Sequence, residues 1–285
     1  MTVAEALASG TARLAAAGIE GPARDARRLL AGAMSVEADR IGVSGPEPVA
    51  PAAAARFEAM LARRAAREPV ARILGWRLFW GRRFAIGPAV LDPRPETECL
   101  IAAALEQPAR RLLDLGTGSG VIAATLLAEW PRATGVATDV SAAALAVAGA
   151  NAARLGVRDR LELREADWGR GVAGRFDLVV SNPPYLSAAE LAESPPELGH
   201  DPSIALRRGG DGLDAYRAIA AAALALLRPS GRLLVEIGAG QGAAVADLFR
   251  RAGLDRVDVS PDLDGRERVV CGIAPPEAAS DVQSR

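Results

Sequence analysis

Phe176-Asp-Leu-Val-Val-Ser-Asn-Pro-Pro-Tyr185 begins as a strand and breaks off in a rigid polar turn. Leu178, Val179 and Val180 are a short continuous apolar run, the pattern of a buried strand. Neither Pro183 nor Pro184 can donate a ladder hydrogen bond, so the strand stops at Asn182. In an open α/β sheet the carboxyl end of a strand is where ligands sit. The carbonyls before and between the prolines lack local N–H partners, and the Asn182 amide oxygen adds an acceptor beside the Tyr185 ring. Such a turn suits a flat group that carries an NH2. An isolated Asn-Pro-Pro-Tyr is equally ordinary loop punctuation, and what decides between the two is the sequence upstream.

From residue 111 the pattern runs strand, loop, helix, repeatedly. Leu112 to Leu115, Gly135 to Thr138, Leu161 to Leu163, Phe176 to Ser181 and Leu233 to Ile237 are the strand candidates, and helices are expected near 121–129, 142–155, 214–227 and 241–252. Val257 to Val259 and Arg268 to Cys271 add two further strands. This alternation predicts an α/β fold, a mostly parallel seven-stranded sheet with helices on both faces.

Between the first strand and its helix lies Asp114-Leu-Gly116-Thr117-Gly118-Ser119-Gly120. Glycines let the backbone turn sharply and approach a ligand at a helix N-terminus. The same residues satisfy a dinucleotide pattern through Gly118, Gly120 and Ala123, with Asp139 near the ribose-binding distance, so a nicotinamide enzyme competes at this point. Asp114 favours S-adenosylmethionine: a carboxylate before the glycines receives an ammonium group and repels a pyrophosphate. Asp139 then accepts both ribose hydroxyls, while Asp167 and Trp168 bracket the adenine by a hydrogen bond and a ring stack.

Composition removes several alternatives. The chain has 285 residues, 50% of them apolar, which is enough for one large α/β domain and a smaller one. Lysine is absent, so all 34 basic residues are arginines and neither Schiff-base chemistry nor a phosphate-loop lysine is available. His200 is the only histidine, which leaves little for a histidine triad or metal site. Cys99 and Cys271 are too few for a disulfide framework and fit a reducing compartment. With no long uncharged apolar stretch and no signal-peptide layout, a cytoplasmic protein without a membrane span is expected. A formal charge of −1 gives no general pull toward nucleic acid.

Upstream the period is helical. Thr2 and Glu5 form a capping-box pattern ahead of Val3, Leu7 and Leu14; a second helix follows Pro22, and Phe57, Met60 and Leu61 mark another that stops before Pro69. Leu78, Trp80, Phe84 and Ile86 alternate around Gly81, the signature of a β-hairpin. The expected domains are a helical substrate-docking domain over 1–75, a hairpin linker over 76–90, the sheet domain over 91–274 and a frayed tail over 275–285. Eight arginines between Arg56 and Arg83 face only Glu58 and Glu68, read either as a solvated helix face or as a docking surface for an acidic or RNA-associated partner.

The sheet-edge motifs together resemble the class I, Rossmann-like S-adenosylmethionine-dependent methyltransferases that modify amide or exocyclic amino nitrogens. Glu68-Pro-Val-Ala, Ile73-Leu-Gly75, Trp80-Gly81, Pro93-Arg-Pro-Glu-Thr-Glu98, Gly209-Gly-Asp-Gly-Leu213, Tyr216-Arg217, Glu236-Ile-Gly238 with Gln241, and Asp264-Gly-Arg266 more narrowly resemble the protein-(glutamine-N5) methyltransferases of peptide chain release factors, the HemK or PrmC family. Asp201 and Asp92 depart from the family pattern, outside the motifs that meet cofactor or target. The resemblance implies S-adenosyl-L-methionine as cofactor and the glutamine of Gly-Gly-Gln in class I release factors as substrate. It implies Asn182, Pro183, Pro184 and Tyr185 as the catalytic and substrate-binding residues, with Asn182 also touching the cofactor, and no metal. A ribosomal-protein glutamine is the nearest alternative target. An adenine-N6 DNA or RNA methyltransferase shares the tetrad but is opposed by the charge balance. Gly238-Ala-Gly240-Gln-Gly242 is read as a structural turn, with a lining of the substrate cleft as the alternative, and Glu96 and Glu98 either as helix N-terminal charge or as contacts with the cofactor or a lid over it.

Overall fold

In the computed structural model, residues 1–42, 45–194, 196–200, 202 and 210–277 are described; Asp201, Gly209 and all but the first three residues of the expected tail lie outside them. The chain divides into two compact units: Met1–Arg77 with Ile86–Pro88 and Pro195–His200, and Leu78–Ala85 with Ala89–Ser194 and Asp201–Arg285.

The first unit is built from short amphipathic helices that are marginal alone and gain stability by sharing a core. Helix α1 (Val3–Ala16) starts in a complete capping box: Glu5 N–H donates to Thr2 Oγ1 at 3.2 Å and Thr2 N–H to Glu5 Oε2 at 2.8 Å. Helices α2 (Pro22–Met34) and α3 (Pro51–Ala65) both begin with proline, whose missing N–H is no loss there, and the short α4 (Val70–Leu74) follows. Leu14, Leu29, Leu30, Phe57 and Leu61 are buried between them. Gly10 is required by this packing, since a Cβ would lie 2.7 Å from the Phe57 ring.

Arginines in this region are tied down by neighbours within the unit, most of them distant in sequence. Arg64 is buried and donates to Asp25 Oδ2 at 2.9 Å and to Glu197 Oε1 at 3.1 Å. Arg56 donates to the Ala33 carbonyl at 3.0 and 2.6 Å, Arg63 to Glu68 at 2.7 Å, Arg67 to the Ala17 carbonyl at 3.3 Å and Arg72 to the Gly87 carbonyl at 3.0 Å. These five side chains therefore act as clamps within the unit, which neither reading of the arginine-rich segment anticipates.

Strands β1 (Trp76–Phe79) and β2 (Arg82–Ala85) turn through Trp80 and Gly81, both at positive φ, +48° and +68°, as a two-residue hairpin loop demands. The sheet comprises β3 (Arg111–Leu115), β4 (Thr134–Asp139), β5 (Leu161–Glu165), β6 (Phe176–Ser181), β7 (Leu227–Glu236), β8 (Asp255–Pro261) and β9 (Glu267–Ile273), in the order β5-β4-β3-β6-β7-β9-β8. The first five run parallel, and β9 pairs antiparallel with both β7 and β8. Its helices are α5 (Thr97–Leu105), α6 (Val121–Glu129), α7 (Ala142–Arg154), α8 (Ala188–Ala192), α9 (Asp214–Leu226) and α10 (Gly242–Arg251).

Period-two alternation divides the core into two layers. Leu112, Leu178, Val180 and Leu234 join Leu100 and Ile101 of α5 and Leu126 and Leu127 of α6; Leu113, Val179 and Val235 join Tyr216 and Ile219 of α9 and Phe249 of α10. Each such aliphatic side chain contributes about 1.5–3 kcal/mol by leaving water. The expected strand from Leu233 to Ile237 starts earlier, at Leu227, because a register shift beside Phe176 lets Pro229 and Gly231 stay in the strand. Helices α4 and α8, at five residues each, are too short to show a period and are not anticipated.

Candidate active site

Register places the chemistry. Leu115 pairs with Thr138 and with Ser181, Asp139 with Glu165, and Ser181 with Val235. Asp139, Gly116, Asn182 and Glu236 therefore sit at one level across four adjacent strands. The chain moves from β3 outward to β4 and β5, then returns to the other side of β3 as β6, so β3 and β6 flank the switch point where such sheets bind ligands. The Ser181 hydroxyl donates to the Leu115 carbonyl at 2.7 Å and ties these two strand ends together.

The loop after β3 needs its glycines: Gly116, Gly118 and Gly120 have φ of +70°, +54° and +78°. A Cβ on Gly120 would come 2.9 Å from the Ala148 Cβ, and one on Gly116 3.3 Å from the Trp168 ring. Thr117 N–H donates to the Thr138 carbonyl at 2.8 Å and Gly118 N–H to Asp139 Oδ2 at 2.9 Å, so the loop is braced against β4. Asp114 is buried beneath it; its Oδ2 accepts from the Thr117 hydroxyl at 2.6 Å and Ala123 N–H at 3.2 Å, while Oδ1 has no protein partner. Asp114 is thus first a brace of the loop and is not among the residues lining the cleft above it.

That cleft, about 890 Å³ with its open mouth, is lined by Gly116 to Ser119, Asp139 to Ser141, Ala166 to Trp168, Thr97, Asn182 and Pro184, and by Ala89 to Leu91 with Pro93. Asp139 Oδ1 accepts from Ser141 N–H at 2.9 Å, so each Asp139 oxygen holds one backbone N–H and keeps a lone pair for a hydroxyl. Trp168, at φ +53°, lies against Gly116 and offers a ring face. A nucleoside diol at Asp139, a planar base by Asp167 and Trp168, and an ammonium group near the unpartnered Asp114 oxygen fit this donor set.

Asn182 and Pro184 face the same cleft, and Pro183 is buried. Tyr185 is held from behind: Gln241 Nε2 donates to its carbonyl at 3.0 Å, and a Cβ on Gly238 would lie 3.0 Å from its ring. Burial pushes the Tyr185 hydroxyl up to about 12, so it stays a neutral donor. The second glycine turn thereby supports the Asn182 segment, because Gln241 Oε1 also accepts from Gly238 N–H at 3.0 Å. Glu98 caps the hairpin by accepting from Trp80 N–H at 2.7 Å, and neither Glu96 nor Glu98 lines the cleft.

Three further residues act here: Asn151 belongs to no motif, and Thr97 and Glu236 fall within segments that resemble the family but are given no role by the sequence. Buried Asn151 holds Ala85 by two hydrogen bonds, 2.7 and 3.1 Å, and the Ser119 carbonyl by a third at 2.8 Å. Thr97 accepts from Asn182 Nδ2 at 3.0 Å. Glu236 is wholly buried with neither oxygen hydrogen-bonded.

Burial pushes both Asp114 and Glu236 up to about 7, against the hydrogen bonds to Asp114 and the nearby Thr97, Arg268 and Asn182 at Glu236. From ordinary values of 3.8 and 4.5 in the unfolded chain, each group binds a proton longer when folded. Their contribution to stability is full below about 4, falls as pH rises toward 7, and levels above it. Thermal melts of the ligand-free protein from pH 4 to 8 should show this decline, flattened in part by Asp114→Asn and by Glu236→Gln. Unchanged slopes in both variants would contradict the assignment.

Fold and site together define a class I methyltransferase, with S-adenosyl-L-methionine as methyl donor. The PrmC N-terminal domain family matches residues 5–75 and the methyltransferase small domain family residues 92–211. The chain is 61% identical over 276 residues to the release factor glutamine methyltransferase of Cereibacter sphaeroides, covering 96% of this chain and 99% of that one. It is 46% identical over 263 residues to the protein of that name from Rhodospirillum rubrum, covering 91% and 81%. The chain belongs to the release factor glutamine methyltransferase family. A methyltransferase crystal structure from Pyrococcus furiosus, 16% identical with a TM-score of 0.54 over 76% of this chain and 98% of that one, shares the fold. Among the described residues no helix is long and apolar enough to cross a membrane.

Proposed function

We propose that this protein methylates the side-chain amide nitrogen of the glutamine in the Gly-Gly-Gln motif of class I peptide chain release factors, in the cytoplasm. The observation that carries the reading is the placement of Asn182-Pro-Pro-Tyr185 at the end of β6, one strand from the glycine loop, with Asn182 and Pro184 lining the same cleft. S-adenosyl-L-methionine, when bound, supplies an electrophilic methyl group whose departure leaves a neutral thioether.

An amide nitrogen is a poor nucleophile because its lone pair is delocalised, so orientation is the protein's main contribution. Asn182 Oδ1 and the Pro183 carbonyl each accept one N–H of the target, leaving the face of its nitrogen toward the methyl group. Tyr185 walls in the planar amide. The proton leaves after the nitrogen has become positively charged, so no strong base is needed, in keeping with a site without histidine or lysine. Asp114, Asp139, Asp167 and Trp168, with Gly116 to Gly120, hold the cofactor.

Incubation with labelled S-adenosylmethionine and, separately, release factor, ribosomal protein and DNA tests the substrate. Label in the release factor alone is expected; label in either of the others instead overturns the reading.

Residues 1–75 are the docking domain for the release factor, 76–90 the linker and 91–274 the catalytic domain. Removing residues 1–70 is expected to weaken release-factor binding far more than S-adenosylhomocysteine binding. Equal loss of both would mean that the helices serve folding only.

A further inference from the structure

We propose that Glu236, as a carboxylate, is a positioning residue that fixes the Asn182 side-chain amide with its oxygen toward the target NH2. The inference rests on the reading of Asn182 as an acceptor for the target. Glu236 ends β7 and, because Val235 pairs with Ser181, stands level with Asn182 on the neighbouring strand. It is 0% exposed, and neither of its oxygens has a hydrogen-bond partner, an arrangement that costs stability and calls for a role.

A carboxamide has unlike ends: the NH2 only donates and the oxygen only accepts. Asn182 Nδ2 already donates to Thr97 Oγ1 at 3.0 Å, and the Asn182 and Thr97 side chains both favour a charge on Glu236. An ionised Glu236 can only accept. It draws the Asn182 NH2 and the Thr97 hydroxyl proton to its side and leaves Asn182 Oδ1 on the opposite one. A reversed amide would set an oxygen against a carboxylate, lone pair to lone pair. A protonated Glu236 gains a donor and loses this discrimination.

The groups around it decide when it ionises. Arg268 on β9 favours the charge but is shared with the Ile237 carbonyl at 3.3 Å and with Asp262 at 3.3 Å. Glu96 at the start of α5 opposes it, and Cys99 on α5, Tyr185 after β6 and Tyr216 on α9 also feel its charge. Burial outweighs these influences and sets the change of state near 7, so the amide is locked on the alkaline side of neutrality.

The test is the pH profile of single-turnover methylation of the release factor at saturating S-adenosylmethionine, for wild type, Glu236→Gln, Thr97→Val, Thr97→Ser and Asn182→Ala. The wild-type rate should rise through about pH 7 to a plateau. Glu236→Gln should lose that limb and about tenfold of the plateau; Thr97→Val should lose about tenfold of the plateau, while Thr97→Ser recovers most of the rate. Calorimetry should give unchanged S-adenosylhomocysteine affinity for Glu236→Gln. A Glu236→Gln enzyme with the wild-type rate and limb, beside a slow Asn182→Ala, overturns the proposal alone. Asn182→Ala at the wild-type rate overturns the reading of Asn182 and the proposal with it. Should Glu236→Gln fail to fold, a wild-type profile for Thr97→Val overturns the proposal, and loss restored by Thr97→Ser supports it.

Discussion

Asn182→Ala is expected to lower single-turnover methylation at saturating S-adenosylmethionine by about two to three decades, the loss of roughly 3–4 kcal/mol that follows removal of one oriented hydrogen bond to a reacting group. The side chain faces the cleft, and its Nδ2 is committed to Thr97 at 3.0 Å, so its oxygen is the end available to the target. The backbone has independent support from Pro183, Pro184 and the Gln241 bond to the Tyr185 carbonyl, so the turn should survive the change. Some loss of cofactor affinity is expected, smaller than the loss of rate. Asn182→Asp keeps an acceptor but places a charge beside the sulfonium, which tightens the ground state without restoring orientation. A normally folded Asn182→Ala that methylates near the wild-type rate would falsify the mechanism.

Asp139→Ala is expected to weaken S-adenosylhomocysteine binding by about two decades, close to 3 kcal/mol. Its two oxygens each accept a backbone N–H, from Gly118 and from Ser141, both at 2.9 Å. The substitution therefore loosens the glycine loop as well as removing the acceptors for a ribose diol. Hydrogen bonds to a charged group contribute about 1.5–3 kcal/mol each, so even partial compensation by water leaves a large deficit. Asp139→Asn keeps one acceptor and should fall between. Calorimetry decides: Asp139→Ala affinity within threefold of wild type, with an unchanged melt, would remove Asp139 from the cofactor site.

Features that act through the local backbone are legible in the sequence. The Thr2 capping box, the hairpin at Gly81, the glycine loop and the stop at Asn182 each depend on one or two residues forcing or permitting a conformation. What needs register is hidden. Glu236 and Asn182 are 54 positions apart in sequence and come level only because Val235 pairs with Ser181. Thr97 reaches Asn182 across 85 positions and Asn151 reaches Ala85 across 66. Asp114 shows the limit from another side: its place before the glycines suggests an ammonium contact, yet one of its oxygens is committed to Thr117 and Ala123. Charge counting fails similarly, because Arg64 finds Asp25 and Glu197, 39 and 133 positions away.

The most direct test of the central claim is mass-spectrometric mapping of release factor after incubation with this protein and S-adenosylmethionine. A single methyl group on the side-chain amide nitrogen of the Gly-Gly-Gln glutamine, strongly reduced with Asn182→Ala, is the predicted result. A methyl group on another residue, or an unmodified release factor alongside a methylated ribosomal protein or DNA, would contradict it.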